Sequence, residues 1–494
     1  MNDWTLMVYI SADDILANFA IESLKQMKRA AGRGIEVVAQ FDANQGGNVP
    51  VYAFSDSNKN ESSIVSNQIA NVPGPVDMTD PAVLTKFINM AAEKYPAQHY
   101  GLVLWGHGPE LLFDDNVPPS TPPSSRRYFT PANLKEALEG IKLPNKEEGK
   151  SKLDIIAIDA CCMAQAEVAG ELKGCANYLI ASQDDVPDAS FPYDQLLEKL
   201  KPFCKKGDVA EISKMIPEAY QEAFQDYIAT PANGLGTMTL STLDLNEVGT
   251  ITTALAKLAD ALLQVSRDSI LRTKILDARR ASRDFDFGLF VDLFDFCKQL
   301  DQTNHDDNNL TNACQEMRNA LAGQNNKCII ENRASGKDST RCHGLSVYFP
   351  YQTDDITQNA VLLRKNSTTH GTKDRLARIQ ELEQDYSALT TSGQTDWMDF
   401  IKHGWSLILA KEIPDQLDKH YSAQQCAQNL LPEEGGAPPN GDQPPNGTGD
   451  TPKTPRPSAG HHKKTKPAYG ANGGTTELPS HGFGKRPSRE HGAH

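Results

Sequence analysis

The stretch Asp154-Ile-Ile-Ala-Ile-Asp-Ala-Cys-Cys-Met-Ala-Gln-Ala-Glu-Val-Ala169 constrains the fold more than any other part of the chain. Its apolar run, Ile155 to Ile158, reads as a buried strand. The run stops at Asp159-Ala160-Cys161, and the alanine-rich residues that follow predict a helix beginning at once. A cysteine is thereby expected at the carboxyl end of a strand and at the N-terminus of a helix. Reacting groups collect at the carboxyl ends of strands in open α/β sheets. Unpaired N–H groups and the positive end of a helix dipole favour a thiolate there. Upstream, Tyr100-Gly-Leu-Val-Leu-Trp-Gly-His-Gly-Pro109 repeats the plan: an apolar strand, then a Gly-His-Gly turn. Two adjacent strand ends would hold His107 against Cys161, a base beside a nucleophile.

The same alternation extends along the chain. Strands are expected at Thr5–Ile10, Ile35–Phe41, Val51–Phe54, Gly101–Trp105, Ile155–Ile158 and Tyr178–Ser182. Between them helices are expected over Ile15–Ala31, over Pro81–Lys94 with Asp80 as cap, and over Pro131–Ile141 with Thr130 as cap. Strands alternating with helices of this length predict an α/β fold with a mainly parallel sheet flanked by helices. The second half is less regular, with a strand within Leu235–Leu245, helices over Asn246–Val265 and Phe285–Leu300, a late strand in His343–Pro350 and a last helix over Asp396–Leu409. The reading is a core over residues 1–230, an α/β region over 231–430 that packs on or extends it, and a tail over 431–494. That tail, rich in Pro, Gly, Lys and His, carries too little apolar surface to fold and is expected to be disordered. Its His461-His-Lys-Lys is read as a solvated basic segment rather than a metal or anion site.

A formal net charge of −15 argues against nucleic acid as the partner. No run of 18 apolar residues occurs, so no membrane span is expected. The first residues read directly as a strand without a signal peptide, which points to a cytoplasmic protein. Nine cysteines, odd in number and widely spread, give no zinc or disulfide pattern. Cys162, Cys175, Cys204, Cys297, Cys314 and Cys328 are expected as packed thiols.

The pairing of Leu-Trp-Gly-His107-Gly with Asp159-Ala-Cys161-x-Met163 resembles the clostripain-like cysteine peptidases, part of the caspase, gingipain, legumain and separase clan. Trp4–Asp14, Ala181–Asp194, Ser241–Leu245 and Gly344–Pro350 resemble further landmarks in the same order, so the likeness spans about residues 4 to 405. The resemblance implies a caspase-like sheet and a cysteine endopeptidase cleaving after Arg, or Lys. In it Cys161 is the nucleophile, His107 the general acid/base, and backbone N–H groups near Gly108 and Cys161 bind the oxyanion. Asp159 matches the family position that contributes to the pocket for the basic side chain. Asp184, Asp185 and Asp188 follow the neighbouring strand, and one of the three is expected to supply a second acid. The alternatives are a catalytically silent caspase-like binding module and a non-peptidase Cys–His hydrolase.

Some relatives mature by cutting themselves between histidine and cysteine. Here the Pro/Ser-rich loop Val117–Arg127 offers Arg126 and Arg127 as self-cleavage points. No cofactor is called for. Calcium at Asp13-Asp14 or Asp114-Asp115 is the alternative, because some relatives depend on that ion. Protein or peptide substrates and a monomeric enzyme complete the expectation.

Overall fold

In a parallel sheet covered on both sides, strands are apolar on both faces, and such runs carry the centre of this molecule. The computed structural model describes residues 2–12, 16–43, 47–56, 63–108, 111–114, 127–144, 151–205, 207–225, 237–303, 306–323, 326–350 and 392–405. In chain order these form β1 (Asn2–Ser11), α1 (Ala17–Ala30), β2 (Ile35–Asp42), β3 (Val49–Phe54), β4 (Gln68–Val72), α2 (Pro81–Lys94) and β5 (Ala97–Trp105). There follow β6 (Leu111–Asp114), β7 (Arg127–Phe129), α3 (Pro131–Glu139), β8 (Leu153–Asp159), α4 (Ala166–Glu171) and β9 (Ala176–Ala181). Then come α5 (Tyr193–Leu200), α6 (Val209–Ala223), β10 (Thr237–Asp244), β11 (Asp284–Phe285), β12 (Phe290–Asp292), β13 (Ile329–Gly336) and β14 (Ser346–Tyr348). Longer helices of the second half span Val248–Val265, Ser269–Ala281, Leu293–Gln302 and Asn308–Ala322. The expected caps are present: Asp80 accepts from Ala82 N at 2.8 Å, and Thr130 Oγ1 accepts from Asn133 N at 3.0 Å.

The main sheet runs β13-β10-β9-β8-β5-β1-β2-β3-β4. Its centre, β9-β8-β5-β1-β2, is parallel, and antiparallel strands close both edges. β10 and β13, from the second half of the chain, extend the same sheet. Alternate residues feed two cores. Met7, Tyr9, Ile156 and Ile158 pack with α2 and α3 on one face. Val8, Ile10, Ile155 and Ala157 pack with α1, α5 and α6 on the other. The chain leaves β1 toward β2 on one side and returns to β5 and β8 on the other. That reversal places the crevice at the carboxyl ends of the central strands.

Two expectations are corrected. The helix after Cys161 does not begin at once: α4 starts at Ala166 and has six residues. Neighbouring chain claims the intervening backbone first. Ala164 N donates to Ser182 O at 2.8 Å, Ala164 O accepts from Ser346 N at 2.9 Å, and Gln165 bridges to Ser346. Second, Phe285–Asp292 is not α-helical and holds only a 3₁₀ turn at Asp286–Gly288. Asp286 and Gly288 adopt φ of +46° and +85°, and the segment folds into a small sheet, β11-β12-β14. The helix starts at Leu293, where Asp292 caps it. The helix Val248–Val265 is long and apolar enough to cross a membrane by composition. It is instead a core element, with Ile251, Leu255, Leu258 and Leu262 fully buried.

The last described helix, Ser392–Asp399, continues in π geometry to Trp405. Trp397 is fully buried and its Nε1 donates to Tyr348 O at 2.8 Å. Residues Met1–Gln428 and Asn429–His494 separate as two units. The tail, with His461 and His462, lies outside the described residues.

Candidate active site

The register of β5 and β8 decides which loops meet. Trp105 pairs with Asp159, and Gly106 N donates to Asp159 O at 3.4 Å. His107 lies two residues past Trp105, and Cys161 two past Asp159. Both are partly exposed, and both leave the sheet at its carboxyl edge. Gly108 brings the two loops into contact. A Cβ built on it would lie 2.1 Å from Cys161 O and 3.0 Å from Cys161 N. Only glycine permits that approach, so Gly108, directly after His107, is a packing requirement of the cysteine turn.

Cys161 Sγ accepts a hydrogen bond from Val186 N at 3.4 Å. Because α4 begins only at Ala166, Cys161 does not sit at its N-terminus, and the dipole argument for a thiolate does not hold. Burial, then the charge of Asp185, pushes the Cys161 thiol up to about 12, against the pull of the Val186 N–H. Burial thus favours the neutral thiol, and a nucleophilic role for this sulfur would need a base to take its proton as the bond forms.

Cys162 is buried and packs in the core below, its Sγ directed to Asp185 Oδ1 at 3.9 Å. Its φ of +57° is left-handed, a conformation costing a non-glycine residue roughly 1–2 kcal/mol. Two hydrogen bonds hold it there: Cys162 N to Asp184 O at 3.2 Å, and Gln165 Nε2 to Cys162 O at 2.6 Å. The two consecutive thiols differ in exposure: Cys161 is partly exposed and Cys162 is buried. Cys175, Cys204, Cys297, Cys314 and Cys328 are buried free thiols.

Asp159 ends β8 at 3 % exposure, neither at a helix start nor open to solvent. Its Oδ2 accepts from Ser190 Oγ, from Phe191 N at 3.0 Å and from Tyr193 Oη at 2.8 Å. Trp105 Nε1 donates in turn to Ser190 Oγ. Oδ1 is buried and takes no hydrogen bond among the described residues. Burial raises the carboxyl to about 6, while the three donors pull it back. An acceptor left over in a buried carboxylate fits an incoming donor, since such groups are rarely left unmatched.

The loop after β9 separates the other acids. Asp184 forms an ion pair with Arg283 and is not a free pocket acid. Asp185 is exposed and lies beside both thiols; Asp188 is exposed on the same loop. Gln183 ties this loop to the second half: its Nε2 donates to Asp292 Oδ2 at 3.0 Å, and its Oε1 accepts from Gly344 N at 2.7 Å. Asp292, fully buried, also accepts from His343 N at 2.6 Å.

Sequence reasoning missed Arg283, Asp292 and Asp286, whose charge reaches both thiols. The Asp-x-Gly of Asp286–Gly288 was a turn signal, hidden by reading Phe285–Leu300 as one helix. Asp13, Asp14, Asp115 and Arg126 lie outside the described residues, as do the side chains of Asp114 and Arg127. Arg127 opens β7, paired through its backbone with Asp114.

With this geometry in place, comparisons with known proteins agree on one group. The profile of the Clostripain family matches residues 8–405. The clostripain of Hathewaya histolytica is 26% identical over 230 residues, 40% of this chain and 42% of that protein. The match thus spans less than half the length of that relative. A secreted C11 cysteine protease from Bacteroides thetaiotaomicron, solved with an irreversible peptide inhibitor, superposes with a TM-score of 0.52. It is 18% identical and covers 76% of this chain and 99% of that one. The secreted C11 protease "iotapain" of the same organism gives a TM-score of 0.51 at 16% identity, covering 73% and 97%. These two share the fold: a central, mostly parallel sheet flanked by helices.

Proposed function

The chain belongs to the clostripain family of cysteine peptidases, and on that premise we propose that it is an endopeptidase cleaving after Arg, or Lys, through Cys161 and His107. The observation that carries this reading is the closure of the histidine loop on the cysteine turn, where Gly108 leaves no room for a Cβ against Cys161. As His107 removes the thiol proton, Cys161 Sγ attacks the scissile carbonyl carbon. The resulting tetrahedral oxyanion is met by the peptide N–H groups of Gly108 and Cys161. The C–N bond then breaks, His107 returns the proton to the leaving amine, and water hydrolyses the thioester by the reverse proton path. A protonated resting thiol suits this order of events, since proton transfer accompanies attack.

The basic side chain of the substrate would meet Asp159 through its unmatched Oδ1, with Asp185 or Asp188 as the second acid at the rim. Fluorogenic peptides ending in Arg, Lys, Asp or Leu test the reading. Turnover confined to Arg and Lys is expected; equal turnover of Leu peptides, or none from folded protein, would refute it. In the same preparation we expect slow self-cleavage after Arg126 or Arg127, absent from a Cys161→Ala chain, as fragment masses would report. No cofactor is needed in this scheme. Activity unchanged by a chelator is its corollary, and restoration by calcium would instead implicate Asp13-Asp14 or Asp114-Asp115.

A further inference from the structure

Among the described residues the sulfur of Cys161 has one peptide donor at hand, Val186 N, and that donor sits on a loop with little regular structure of its own. What fixes the loop is Asp184. Its carbonyl accepts from Cys162 N at 3.2 Å, and its Oδ1 accepts from Asp185 N at 3.0 Å. Its other oxygen is held by Arg283 Nη2. One residue thus joins the peptide after the nucleophile to the turn that delivers Val186.

Arg283 is well placed to anchor it. Its own N donates to Asp295 Oδ2 at 2.7 Å, and its carbonyl accepts from Asp292 N at 2.9 Å. Its guanidinium lies 4.7 Å over the Phe285 ring and reaches Thr237 Oγ1 at 3.3 Å. Thr239 Oγ1, on the same strand as Thr237, accepts from the N–H groups of Gln183 and Asp184 at 2.9 and 3.1 Å. The loop is therefore clamped from β10 and from the small sheet together.

We propose that Arg283 is a positioning residue for the nucleophile: through its ion pair with Asp184 it holds the Val186 N–H on Cys161 Sγ, supplying the thiolate donor that the absent helix N-terminus does not. This rests on Cys161 being the reacting thiol. The arrangement also explains why the second half of the chain is built into the site. A donor to an anionic sulfur matters because burial and two carboxylates oppose it, Asp185 on the loop and Asp286 from the neighbouring turn.

The test is a double-mutant cycle on the full chain, with Arg283→Met, Asp184→Asn and the pair. The readout is the rate at which iodoacetamide alkylates Cys161 at pH 8, followed by mass spectrometry of its peptide, beside kcat and KM on an Arg peptide. Losing a hydrogen bond to a charged group is expected to slow alkylation and kcat by about ten- to a hundredfold, with KM little changed. The double variant should be no slower than the singles, because both changes remove one device. Arg283→Lys, which keeps a cation and the fold, should fall between wild type and Met. It carries the test if the Met variant does not fold. Unchanged alkylation in Arg283→Met and Arg283→Lys would overturn the proposal, as would effects that multiply in the double variant. Alkylation needs no substrate. A wild type that alkylates as expected but cleaves no peptide would sink the peptidase reading and leave this result legible.

Discussion

Cys161→Ala is expected to lower kcat on Arg peptides on the order of ten-thousandfold or more, whereas Cys162→Ala stays within about tenfold of wild type. The two thiols are neighbours in sequence and differ in exposure. Cys161 Sγ sits at the partly exposed carboxyl edge, on the Val186 N–H, against the loop that carries His107. Cys162 is 1% exposed, packed into the core on the α2 and α3 face. It has no route to a substrate carbonyl, so it cannot rescue the loss. Its substitution keeps the same left-handed backbone strain and loses only packing. Steady-state kinetics on the two variants, with thermal unfolding as the fold control, decide the matter. Equal losses in both would mean the turn, not the first thiol, had been removed.

Asp159→Asn is expected to cut kcat/KM for Arg peptides by roughly thirty- to several-thousandfold, the range for truncating one partner of a buried charge pair. The effect should fall mainly on KM. Burial raises Asp159 to about 6, so below that pH the carboxyl is neutral and above it ionised. A guanidinium binds the ionised form. KM for Arg peptides should therefore fall as pH rises through about 6 in wild type, and that step should vanish in the Asn variant. Initial rates across pH 5 to 8 provide the check. A wild-type KM flat through that window would remove Asp159 from substrate binding and return it to holding Ser190, Phe191 and Tyr193.

The central sheet was legible because its signal is local and strong. Runs such as Ile155–Ile158 and Gly101–Trp105 must be buried on both faces, and they end in the turns of Cys161 and His107. Asp80 and Thr130 announced their helices through capping chemistry that needs no tertiary context. The second half resisted for the opposite reason. Phe285–Leu300 has helical composition, yet two left-handed residues and pairing with β14 make its first part a small sheet. Alanine content after Cys161 likewise argued for an immediate helix, but Ser182 and Ser346 take the backbone groups a helix would use. Propensity loses to tertiary hydrogen bonding at such places. What the sequence made legible is that the loops carrying His107 and Cys161 leave adjacent strand ends and meet, with Asp159 at the end of β8. The Asp184–Arg283 clamp was not, because it joins residues 99 apart whose only signal is geometric.

The most direct test of the account is the distance between the His107 imidazole and Cys161 Sγ in a crystal structure of the enzyme bound to an Arg-ending peptidyl inhibitor. Catalysis by this pair predicts a thioether on Cys161 with a ring nitrogen within about 4 Å of the sulfur or the departing group. An adduct on Cys162, or an imidazole more than about 10 Å away with the loops closed, would contradict it.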